Sequence, residues 1–124
     1  GAFKGVIKNT IGKFKELNSN IDELIVAIGP CIGKNSYNVR SDFYNKFVKK
    51  NSQNKKFFLK INKNNYNFDL RSFVNKEISR FGIKNIENIE MDTFSKSEFF
   101  YSYRRSSVNK EKDYGRCISV ILMT

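Results

Sequence analysis

The run Leu24-Ile25-Val26-Ala27-Ile28, stopped by Gly29-Pro30, constrains this chain more than any other stretch. Five consecutive apolar residues make a strand, and a strand apolar on both faces belongs inside a sheet that helices cover. Pro30 cannot donate to a ladder and Gly29 permits a sharp turn, so the strand ends there. Residues 2–17 supply a covering layer. Phe3, Val6, Ile7, Ile11, Phe14 and Leu17 fall at helical spacing, while Lys4, Lys8, Lys13 and Lys15 take the other side.

The same logic continues along the chain. Tyr37-Asn38-Val39 reads as a short extended piece. Ser41 is an N-cap candidate, and Asp42 in the first turn suits the helix dipole, so a helix is expected over 42–50 with Phe43, Tyr44, Phe47 and Val48 inward. Residues 51–56 read as a polar loop, Phe57 to Ile61 as a strand, 62–65 as a turn and Tyr66-Asn67-Phe68 as a second strand. Asp69 then caps a helix carrying Leu70, Phe73, Val74, Ile78 and Phe81, which Gly82 ends. Residues 83–89 suggest a further strand, 99–105 an extended segment or a single turn, 106–113 a polar loop, and Gly115 to Leu122 a closing apolar strand. The expected fold class is α/β (α+β), a mixed β-sheet layered with helices in a single domain around one core. At 124 residues such a core is affordable.

The absence of histidine narrows the chemistry. It excludes a Ser-His or Cys-His nucleophile pair, a His general base and a His-ligated metal within these residues. The two cysteines, Cys31 and Cys117, form no metal-binding spacing, and isolated thiols fit a reducing cytoplasmic setting. No apolar run approaches the roughly eighteen residues of a membrane-spanning helix. The net charge of +11, from 23 basic and 12 acidic residues, raises nucleic-acid binding as an alternative. The lysines are nonetheless scattered among Asn, Ile and Phe, and only 46–56 forms a basic cluster, so nucleic acid is the weaker reading.

The segment Glu98-Phe99-Phe100-Tyr101-Ser102-Tyr103-Arg104-Arg105 sets a dense aromatic run against two arginines. Rings stack on nucleobases, and the guanidinium fork matches phosphate or carboxylate. The segment therefore suggests the wall of a pocket for a nucleoside-like or phosphorylated ligand. The plain alternative is a strand whose rings fill the core and whose arginines meet solvent. On a strand only one of Arg104 and Arg105 could enter a given pocket, and Arg104 would share a face with Ser102 and Phe100. Gly29 and Pro30 turn the chain at the carboxyl end of a strand, where α/β sheets often bind ligands. Tyr37 is either pocket lining or core. Cys31, Cys117 and Asp92 are weighed as structural before functional.

Four motifs in order carry a family resemblance. Ile28-Gly29-Pro30-Cys31-Ile32-Gly33 with Tyr37-Asn38-Val39, then Asp92-Thr93-Phe94 with Phe99-Phe100 and Ser102-Tyr103-Arg104-Arg105, resemble signature elements of the YfiH/laccase-domain proteins. Phe68-Asp69-Leu70 and the closing Gly115-Arg116-Cys117-Ile118-Ser119-Val120-Ile121-Leu122 are also in the expected places. Asp92 stands where the family has cysteine, Asn38 where it has an acidic residue, and Tyr101 is an extra aromatic.

The resemblance implies that residues 1–124 are the C-terminal part of such a domain, an incomplete portion whose Gly1 closes the family's "HAGWRG" motif. It implies a metal-dependent purine nucleoside phosphorylase acting on adenosine, inosine or methylthioadenosine, with adenosine deaminase activity, once described as a polyphenol oxidase. Zinc or copper would be held by ligands upstream of these residues. The partners implied are a purine nucleoside and phosphate, with an N-terminal half on the same or a separate polypeptide. The substrate-binding candidates are Arg104, Arg105, Ser102, Gly29, Pro30 and Tyr37, with no metal ligand, and the chain alone is expected to be inactive. A nonfunctional remnant of a split gene is the remaining alternative.

Overall fold

In the computed structural model, which describes residues 1–122, two small sheets are joined by helices. A 3-10 turn at Ala2–Lys4 leads through Gly5 into helix α1, Val6–Glu16. Gly5 has φ near +80°, a conformation that costs glycine little, and it separates the two helical pieces. Strand β1, Ile25–Ile28, pairs in parallel with β5, Asn85–Asn88. Strands β2, Asn38–Arg40, β3, Phe58–Lys60, and β4, Asn65–Phe68, form an antiparallel sheet in the order β2-β4-β3. Helix α2, Ser41–Lys50, follows β2 directly, and α3, Leu70–Ser79, follows β4.

The mixed α/β layering matches the sequence expectation, with the strands divided between two sheets. The core is divided as well. Phe47, Phe57, Phe68 and Phe73 pack with Val39 into an aromatic cluster, in which Phe68 is fully buried. Ile11, Ile78 and Ile83 form an aliphatic cluster against one face of β1. Val74 on α3 touches both and ties the layers together. The ring pairs sit at tilted and edge-on angles, as the aromatic quadrupole favours.

Several local expectations are corrected. Ser41 is the first helical residue rather than a side-chain cap, because its backbone N–H already bonds Asn64 O at 2.9 Å. Residues 52–57 form a 3-10 turn, not a loop. It buries Asn54, whose amide nitrogen donates to Phe47 O at 2.9 Å. Residues 103–108 form a short helix, α4, where an extended segment or single turn over 99–105 and a polar loop over 106–113 were expected. The expected strand from Gly115 to Leu122 is irregular, and Ile118 is 89% exposed. Its apolar pattern suits a ladder, yet no described strand offers it one. Strand β1 is not covered on both faces either: Ile25 is 65% exposed while Val26 and Ile28 pack inward.

Candidate functional site

The site is built where β1 gives way to the Gly29-Pro30 turn. Beyond that turn Cys31 pairs in parallel with Asp92. Cys31 N–H donates to Met91 O at 3.3 Å, and Thr93 N–H to Cys31 O at 3.1 Å. Asp92 is the hub of the junction. Its carboxylate accepts the Gly33 N–H at 2.9 Å, the Phe94 N–H at 2.8 Å and the Ser36 hydroxyl at 2.6 Å. Burial alone pushes this carboxyl up. The hydrogen bonds from Ser36, Gly33, Phe94 and Ser95 outweigh it and hold the group below the usual carboxylate range. Gly33 is required by this approach, since a Cβ there would lie 2.8 Å from an Asp92 oxygen.

Through this junction the chain reaches Tyr37, whose ring packs against Phe43 and Phe68 of the aromatic cluster. The same cluster takes Ala2. Across from it, Ser102 caps α4 by accepting the Arg105 N–H at 3.3 Å. The two adjacent arginines then have different work. Arg105 turns inward and donates to the carbonyls of Thr93 and Phe94, each at 2.8 Å, and to that of Phe100. Arg104 lies over the Tyr37 ring, 5.3 Å from its centroid, and donates to Asn38 O at 2.6 Å. One of its five donors is therefore engaged among the described residues, and the fork remains half-buried at the surface.

Of the six substrate-binding candidates, the structure brings Arg104 and Tyr37 into contact. Ser102 and Arg105 instead hold the start of α4 and the 93–100 loop in place. Their helical setting replaces the opposed-face argument made for a strand: both point usefully, one outward and one into the loop. Gly29 and Pro30 make no described contact with that pair, and Ser119 approaches Gly29. Pro30 lines an aromatic cleft of about 410 Å³ with Thr93, Phe100, Tyr101, Tyr103 and Tyr114. Tyr101 lies flat against Gly115, where a Cβ would fall 2.4 Å from the ring.

Arg71, on the first turn of α3, escaped the sequence reading. It donates to Met91 O at 3.1 Å and approaches the Cys31 thiol at 3.7 Å. Burial pushes that thiol up, and the Arg71 charge and hydrogen bond offset only part of the rise. Cys31 itself is half-buried and forms no disulfide. Nothing in the helical spacing marks Arg71, because its partners are a loop carbonyl and a distant cysteine. Cys117 is exposed and unpaired in a disulfide. Among the described residues no group of three or more His, Cys, Asp or Glu could hold a metal ion. The described residues by themselves do not make a metal centre. No described helix is long and apolar enough to cross a membrane.

The model of the multi-copper polyphenol oxidoreductase laccase family matches residues 1–124. The chain belongs to that family. A purine nucleoside phosphorylase of Rickettsia conorii is 36% identical over 124 residues, which cover 99% of this chain and 51% of the relative. One of Rickettsia prowazekii is 37% identical over 107 residues, covering 86% of this chain and 44% of the relative. Among solved structures, the YfiH protein of Bacillus licheniformis superimposes with a TM-score of 0.78 at 26% identity, over 86% of this chain and 42% of that one. A Neisseria meningitidis protein gives a TM-score of 0.77 at 25% identity, over 85% of this chain and 42% of that one. This laccase-family chain thus spans about half the length of the curated relatives it matches.

Proposed function

We propose that residues 1–124 supply the arginine-bearing flank of a purine nucleoside phosphorylase site. The observation that carries the reading is the similarity, over nearly the whole chain, to relatives bearing that name. The Arg104–Tyr37 pair gives it a chemical seat. Arg104 keeps donors available for phosphate or a ribose hydroxyl, each charge-assisted bond contributing about 1.5–3 kcal/mol in a partly desolvated site. In the reaction, a phosphate oxygen attacks the anomeric carbon of adenosine, inosine or methylthioadenosine. The bond to the purine nitrogen breaks, and the base leaves with a proton. Arg104 would orient the phosphate and spread its charge. Tyr37 offers its ring face to the guanidinium, and Arg105 and Asp92 fix neighbouring loops.

Adenosine deamination accompanies this activity in the proposal. The zinc or copper implied by the family likeness takes its ligands from outside this chain. That other half, on the same or a separate polypeptide, also carries the remaining chemistry, and a cytoplasmic setting completes the reading. The test is release of hypoxanthine from inosine and phosphate. Residues 1–124 alone should give none. Joined behind the half of the Rickettsia conorii relative that they do not match, they should give phosphate-dependent release. Turnover by the isolated chain contradicts the proposal.

A further inference from the structure

The cleft lined by Pro30, Thr93 and five aromatic side chains takes no part in the phosphate contact proposed for Arg104. Its volume of about 410 Å³ falls within the ~300–1,000 Å³ of small-molecule sites. Its rings are not core. Phe99 is 64% exposed, Tyr101 61% and Tyr103 66%. Four of the five rings pair with one another: Phe99 with Phe100 and Tyr103 with Tyr114, at tilted and edge-on angles. Tyr101 is left without a ring partner among the described residues. Its side chain is nonetheless held. It packs on Gly115, where a Cβ would lie 2.4 Å from the ring, so only glycine admits the ring this close. A braced aromatic ring whose remaining surface is open to a cleft is a stacking platform. Thr93, Ser119 and Arg116 line the same cleft, and they offer hydroxyl and guanidinium groups to the edge of a heterocycle.

From this geometry we infer that the cleft seats the purine ring of the nucleoside, stacked on Tyr101. The inference rests on the proposed function for its substrate and adds where the base lies. One link between the two contacts is covalent. Tyr103 lines the cleft and Arg104 follows it in α4, so their Cα atoms are about 3.8 Å apart. A base in the cleft and a phosphate on Arg104 are therefore positioned by the same short helix. Stacking accepts any purine, because every base presents a π-face. A nucleic-acid strand fits the cleft poorly. Such a strand needs a basic groove that tracks its backbone, and Arg116 is the one charged residue lining the cleft among the described residues. That guanidinium already lies over the Tyr114 ring and approaches Asp113 at 3.4 Å.

Equilibrium dialysis against residues 1–124 tests this, since every residue lining the cleft is on this chain. The probes are inosine, the free purine hypoxanthine, and ribose 1-phosphate, which has no purine. Turnover is not read, so the two proposals fail separately: Tyr101-dependent binding without phosphorolysis by the joined protein contradicts the proposed function alone. Tyr101→Ala should weaken hypoxanthine and inosine binding by roughly 5- to 100-fold, and Tyr101→Phe by no more than about twofold, because the ring stacks without its hydroxyl. Neither substitution should alter ribose 1-phosphate binding. Tyr101 is an exposed side chain, so neither should disturb the fold. Equal hypoxanthine binding by the Tyr101→Ala protein overturns the inference. So does a folded chain that binds no hypoxanthine, or a Tyr101→Ala protein that loses ribose 1-phosphate in the same proportion. Should the chain alone precipitate, the same measurements on the joined protein decide by the same criteria.

Discussion

Asp92 shows how much one side chain organises. It ties Gly33, Ser36 and Phe94 together with three hydrogen bonds, all to an ionised group. Asp92→Ala should cost about 2–3 kcal/mol of unfolding free energy in denaturant titration, less than three full bonds because the loops can relax. The acid dependence has a definite sign. The folded carboxyl lies below its unfolded value, so its stabilisation is complete above the unfolded value and is lost as pH falls through the folded one. Asp92→Asn should flatten that part of the acid limb; an unchanged profile would show that the carboxylate is not held as described. The sequence marked Asp92 as a departure from the family pattern and favoured a structural role. Its reach to Ser36, 56 residues away, has no sequence signal.

At the scale of elements, caps and periodicity made most of the fold legible. Asp69 caps α3 through the Ser72 N–H at 2.9 Å, and Gly82 follows the helix with φ near +87°. Asp69→Ala should lower stability by about 1 kcal/mol, and Phe68→Ala at the centre of the aromatic cluster by about 3–5 kcal/mol, both read by chemical denaturation. Helix α4 was not legible. Six residues are too few to show a period, and what holds them is tertiary: Ser102 at the start and Arg105 gripping three loop carbonyls. Arg105→Lys keeps the charge and loses the fork, so the Ser106 amide should exchange faster while the aromatic cluster stays protected. Equal exchange would mean that α4 stands without the grip. The closing segment failed in the opposite direction. Its apolar residues promised a strand, but pairing depends on a neighbour that a linear pattern cannot supply.

For the whole molecule, the sequence supplied the residues of the candidate site and the structure supplied their meeting. Tyr37 and Arg104 are far apart in the chain, and each alone has an ordinary explanation as core or surface. Together they set a guanidinium over an aromatic ring at the half-buried surface. The charge of +11 adds an electrostatic bias towards phosphate, screened over about 10 Å at 0.1 M salt. The decisive measurement is steady-state phosphorolysis of inosine by the joined protein, with and without Arg104→Ala. The account predicts that the substitution lowers kcat/KM for phosphate by roughly 10- to 100-fold, the loss of one charge-assisted bond, while the fold and metal content stay unchanged. Unaltered phosphate kinetics in the Arg104→Ala protein would contradict it.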